Sequence, residues 1–122
     1  MSKNILRDKS FAFAIRIVKL YKYLTEQKNE YIMSKQILKS GTSIGANVRE
    51  GQNAESTKDF IHKYSIAQKE CDETLYWLEL LYKTDYIAEE SFISMSQDAT
   101  ELLKMLKSSI LTSKNKLTIN SS

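Results

Sequence analysis

Apolar positions recur at spacings of three and four residues through most of the chain, the period of one face of an α-helix. The most regular run is Phe60, Tyr64, Ala67, Cys71, Thr74, Leu78 and Leu81. Its steps of 4, 3, 4, 3, 4 and 3 are those of a left-handed packed bundle. It predicts a helix over 57–83, widened by Ile61, Leu75 and Tyr82. Trp77 is displaced from that seam, as a half-buried flank residue or as an interface anchor. Phe92, Met95, Ala99, Leu102, Leu106 and Ile110 predict a second helix over 88–112. Over 9–28 two stripes run side by side. Phe11, Ile15, Val18 and Tyr21 or Lys22 form one, and Phe13, Ile17, Leu20 and Leu24 the other. That arc is wider than one buried face requires. The helix is therefore either central to its own bundle or shared between the core and a subunit interface.

The fourth periodic stretch, over 34–50, has a different character. Ile37, Ile44 and Val48 share one face, with Gly41 and Gly45 one turn apart beside them. Each glycine costs about 1 kcal/mol of helix propensity relative to alanine, so another backbone is expected to approach this strip closely. Ser40, Ser43 and Asn47 add side chains able to hydrogen-bond across such a contact. The strip reads as a close-packed polar seam or, alternatively, as the wall of a pocket. Ser34 is a plausible N-cap here, and Asp8 or Ser10 for the first helix, after a frayed start over 1–8. Gly51 suits a left-handed helix end. Ser56 with Asp59 three residues on is a variant capping box. After residue 112 the periodicity fades, which predicts a disordered polar tail over 113–122. Four helices with short connections imply an all-α, antiparallel up-down four-helix bundle in one domain, 1–112.

Composition agrees with this. Among 122 residues there are no prolines and three glycines, so little interrupts a helix. No apolar run reaches transmembrane length and the start lacks an apolar signal core, so a cytoplasmic location without membrane association is expected. The net charge of +3 is unevenly spread. Residues 1–40 carry nine Lys/Arg against three acids, residues 41–103 five against twelve, and residues 104–122 four Lys and no acid. This segregation suits head-to-tail association or a basic patch for nucleic acid. Lys9, Arg16, Lys19, Lys22, Lys35 and Lys39 are the candidate phosphate contacts.

Catalytic chemistry finds little support. His62 and Cys71 are the only histidine and the only cysteine. Nine helical residues set them about 13.5 Å apart in rise and on opposite faces. Cys71 lies on the core stripe and reads as a small apolar group. A di-iron bundle needs two Glu-x-x-His motifs, and a phosphate loop needs a Gly-Lys-Ser/Thr ending after a strand. Neither is present. Glu70, Asp72 and Glu73 read as solvated. No cofactor, metal or catalytic residue is expected.

The stretch S-G-T-S-I-G-A-N-V-R-E-G (Ser40 to Gly51), with S-T-K-D-F (Ser56 to Phe60) and D-Y-I (Asp85 to Ile87), carries a resemblance. It resembles the bacterial four-helix-bundle family known from open reading frames in intervening sequences of 23S ribosomal RNA. It is also similar to the accessory variability determinant of diversity-generating retroelements. The resemblance spans residues 8–112, and Ser40, Ser43, Ile44, Asn47, Glu50 and Gly51 fill its motif. It implies a bundle that assembles as a ring-like homopentamer. It also implies nucleic-acid binding, RNA or DNA, and association with a protein such as a reverse transcriptase. The expected function is a non-enzymatic oligomeric accessory or scaffold associated with nucleic acid. The alternative is a protein-interaction scaffold indifferent to nucleic acid.

Overall fold

The four periodic stretches form four helices: α1 (Ser2–Gln27), α2 (Met33–Gln52), α3 (Thr57–Lys83) and α4 (Glu89–Ser121). The computed structural model describes residues 2–121, with side chains over 5–119. Each helix runs antiparallel to the one before it and packs on its neighbours around the bundle, the α2–α3 interface being the largest and α1–α4 the smallest. The predicted core stripes are the observed ones. Phe13, Ile17, Leu20 and Leu24 of α1 meet Ile37, Ile44 and Val48 of α2, with Tyr64, Ala67, Cys71, Leu78 and Leu81 of α3 and Met95, Ala99, Leu102, Leu106 and Ile110 of α4. Phe60 and Phe92 are half-buried at the edges of this core.

The two stripes of α1 have different fates. One is core, whereas Phe11, Ile15 and Val18 stay exposed, Phe11 by 53 %. The helix is thus peripheral, with an apolar outer face.

At the strip on α2, helix α1 approaches closely. A Cβ on Gly41 would lie 2.6 Å from Ile17 Cγ1, and one on Gly45 would lie 3.3 Å from the backbone carbonyl oxygen of Ser10. Gly51 has a related role rather than the predicted one. No glycine has positive φ, and α2 continues through Gln52. A Cβ at Gly51 would lie 2.6 Å from the Tyr64 ring, so the glycine makes room for an aromatic side chain within the helix.

The helix ends also differ from the predicted ones. Ser34 is inside the first turn of α2, its hydroxyl donating to the Glu30 carbonyl. The cap is the Glu30 carboxylate, which is buried and accepts from the backbone N–H groups of Ile32, Met33 and Ser34. Asn29 turns the chain in the left-handed region (φ 53°) just before it. Neither Asp8 nor Ser10 caps α1. The Ser10 hydroxyl donates to the Arg7 carbonyl within the helix, and buried Leu6 extends the core stripe upstream. Ser56 does cap α3, accepting from Asp59 N at 3.1 Å.

The predicted tail is helical through Ser121, while Ser122 lies outside the described residues. No glycine or proline interrupts it, and Ser113 and Leu117, both half-buried, carry the stripe of Leu106 and Ile110 onward at steps of 3 and 4.

Two outcomes test these contacts. Gly41→Ala forces Ile17 to move, an overpacking cost of roughly 1–3 kcal/mol that is partly offset by helix propensity. Urea unfolding should show a net loss, and that loss should shrink in an Ile17→Ala background, since the clashing atoms are gone. For Glu30, burial pushes the carboxyl up, but the backbone bonds and Ser34 outweigh it and hold it below the ordinary 4.5. A lowered carboxyl stabilises the fold above the unfolded-state value, and that stability is lost as pH falls through the folded-state value. Glu30→Gln should therefore flatten the decline in stability below about pH 4.5, as read by urea midpoints across an acid series.

Candidate functional site

The lysines and arginine singled out as phosphate contacts divide into two sets. Lys9 Nζ lies 3.0 Å from Glu101 Oε1, and Arg16 Nη1 lies 2.6 Å from Asp98 Oδ2 while its Nη2 donates to Ser94. Both cations thus bind the first half of α4 across the smallest interface of the bundle. Part of the charge segregation is thereby used within one chain. Lys19, Lys22, Lys35 and Lys39 are exposed and make no ion pair among the described residues. They belong to the later part of α1 and the early part of α2, on either side of the connecting turn. All four lie within the turns that flank the α1–α2 connection, and Lys39 also faces the Glu70 carboxylate of α3.

At the other end of α1 the exposed apolar stripe begins. Arg49 of α2 sits over the Phe11 ring, 5.2 Å from its centroid, a cation–π contact that leaves much of the ring in solvent. Trp77 is half-buried and donates its indole N–H to Glu73 at 3.1 Å.

The motif on α2 is a packing device. Thr74 donates to Ser40 at 2.9 Å in the buried α2–α3 seam. Ile44 is wholly buried, Glu50 pairs with Lys63 at 3.0 Å, and Gly51 makes room for Tyr64. Ser43 and Asn47 do not cross the seam as predicted. The Ser43 hydroxyl donates to the Lys39 carbonyl and the Asn47 amide to the Ser43 carbonyl, both back along α2. Side chains of this length reach the preceding turn of their own helix more readily than a neighbour.

The single cysteine and the single histidine differ in their surroundings. Cys71 is buried and donates to the Ala99 carbonyl, and burial pushes its thiol up to about 12. His62 is exposed. Glu70 is half-buried rather than fully solvated, and burial, with Glu73 nearby, pushes its carboxyl up. Among the described residues no cluster of His, Cys, Asp and Glu could hold a metal, and no helix is long and apolar enough to cross a membrane.

A further feature has only a faint signature in the sequence. A groove of about 960 Å³ lies toward the end of the bundle formed by the α2–α3 turn, between Leu6 of α1, the end of α2, the start of α3 and residues 104–116 of α4. Phe60, Lys104 and Lys116 line it together with hydroxyls of α4. That signature is Leu117, half-buried four residues beyond Ser113, which keeps the spacing of the α4 stripe.

The sequence model of the 23S rRNA-intervening sequence protein family matches residues 2–108. A crystal structure of a Bacteroides thetaiotaomicron protein of unknown function from the S23 ribosomal protein family is similar throughout. It shares 55 % identity with a TM-score of 0.89, over 90 % of this chain and 98 % of that one. No curated protein matches the chain.

The burial of Cys71 has a direct readout. The native protein should resist thiol-specific labelling at mildly alkaline pH and label fully in denaturant. Fast labelling of the folded chain would mean that the thiol is accessible and ionised.

Proposed function

The chain belongs to the 23S rRNA-intervening sequence protein family, and from that premise we propose that it is a non-enzymatic, self-assembling four-helix bundle acting as a nucleic-acid-associated accessory or scaffold. The observation that carries the proposal is the pairing of two surfaces on α1 and α2. An apolar stripe of Phe11, Ile15 and Val18 is left in solvent, and Lys19, Lys22, Lys35 and Lys39 are left without ion pairs among the described residues. The stripe supports burial against another copy, since exposed contiguous apolar surface on a small domain marks an interaction site. In a ring-like homopentamer, head-to-tail contacts of one kind close on themselves. Each subunit then presents the same basic patch, and repetition turns weak phosphate contacts into avidity. Lys9 and Arg16, held by α4, contribute to the fold instead.

Solution mass and nucleic-acid binding test the two halves separately. Light scattering should give a pentamer mass, and Phe11→Glu with Ile15→Glu should lower it while the helical circular dichroism is kept. A wild-type monomer would remove the assembly. For binding, affinity for a duplex should fall steeply with salt. Replacing Lys19, Lys22, Lys35 and Lys39 by Gln should reduce the slope of log K against log salt by about 0.9 for each phosphate no longer neutralised. An oligomer indifferent to nucleic acid at low salt would leave the protein-interaction scaffold as the function.

A further inference from the structure

We propose that the groove between the α2–α3 turn and the last turns of α4 is a second binding site, and that it takes a single-stranded segment of nucleic acid. The inference rests on the nucleic-acid association proposed above, but places binding on different residues at the opposite end of the bundle. Three observations carry it.

The first is charge. From residue 102 to residue 122 the chain has four lysines and no Asp or Glu. Lys104 and Lys116 line the groove, both are exposed, and neither makes an ion pair among the described residues. Twelve residues of helix set them about 18 Å apart along α4, the two cations standing toward opposite ends of its groove-lining stretch. Glu55 is the one carboxylate in the lining. The wall is therefore biased toward a polyanion rather than an acid-neutral peptide.

The second is the distribution of donors. Ser108, Thr112 and Ser113 lie between the two lysines on the groove side of α4. Hydroxyls donate to phosphate or sugar oxygens and accept from base amines, and phosphate contacts are commonly shared among Lys and hydroxyl groups.

The third is the aromatic element. Phe60 is half-buried, lines the groove, and rests on Tyr64 with ring centroids 4.1 Å apart. Tyr64 is itself buried and its hydroxyl accepts from Gln52, so Phe60 is backed by a fixed ring. A supported aromatic face beside a basic wall is the combination that holds unpaired bases by stacking and their backbone by charge. A duplex hides its base faces and would use only the lysines. The groove therefore favours a single strand.

The test compares three full-length proteins by fluorescence polarisation: wild type, Lys104→Gln with Lys116→Gln, and Phe60→Leu. The probes are labelled oligouridylate, labelled oligothymidylate and a labelled duplex, each titrated across a salt series, with phosphatidylglycerol vesicles as a separate partner. The lysine variant should bind the single strands with a salt slope reduced by about 1.4, from about 0.7 per lysine replaced. Phe60→Leu keeps the site apolar but removes the stacking face, and should weaken single-strand binding about tenfold while duplex binding is unchanged. Circular dichroism of each variant checks folding, and the lysine pair stands as the test if Phe60→Leu loosens the core. Unchanged single-strand binding in both variants, with loss in the Lys19, Lys22, Lys35 and Lys39 replacement, would overturn the groove site and leave the association intact. No binding of any nucleic acid by wild type would overturn both. Binding to the vesicles in place of the oligonucleotides would also overturn the site.

Discussion

The rest of the bundle depends on how closely α2 can be approached from both sides. Toward α1, Gly41 and Gly45 remove the Cβ atoms that would otherwise meet Ile17 and the Ser10 backbone. Toward α3, Gly51 makes room for the Tyr64 ring and Ser40 receives a hydrogen bond from Thr74. The cost in helix propensity, about 1 kcal/mol per glycine, is offset by dispersion and apolar burial at a contact spacing that larger residues forbid. Both interfaces of α2 are extensive, and α2 is the helix against which α1 and α3 take their positions. Its start is secured by a buried carboxylate, Glu30, in place of the usual short polar cap.

The α1–α4 interface closes the bundle by different means. It is small, and its outer edge is bridged by Lys9–Glu101 and Arg16–Asp98. Partly exposed ion pairs of this kind contribute little stability each, but they fix which charges face each other. Lys9 and Arg16 are matched to acids of α4, and lysines without an ion pair among the described residues stand toward both ends of the bundle. One end holds Lys19, Lys22, Lys35 and Lys39, and the other holds Lys104 and Lys116 beside the groove. A modest net charge of +3 therefore coexists with two local basic surfaces. Net charge alone is a poor guide to binding when the opposite charges are paired internally.

These surfaces share the chain with an exposed apolar stripe on α1, of which Arg49 of α2 touches only Phe11. Buried and exposed apolar residues are thus divided among different faces of the same helices. The inner faces serve the core, while Phe11, Ile15 and Val18 of α1 and the lysines toward the two ends stay exposed. Cys71 is buried with its thiol protonated, and His62 is exposed on another face of the same helix.

The number of helices, the core stripes of α2, α3 and α4 and the Ser56 cap were legible in the sequence, because helical periodicity and local capping are properties of near neighbours along the chain. So was the need for a close approach at Gly41 and Gly45, since uncompensated propensity costs point to a tertiary cause. The tertiary structure decided which stripe of α1 is core, that Gly51 is a place for Tyr64 rather than a helix end, and that Glu30 caps α2. It also decided that α4 continues past residue 112 alongside the groove, and that Lys9 and Arg16 are engaged by acids 92 and 82 residues away. Most of these are contacts between residues distant in sequence. The pattern along one helix says which faces can be buried, and only the neighbouring helices determine which of them is.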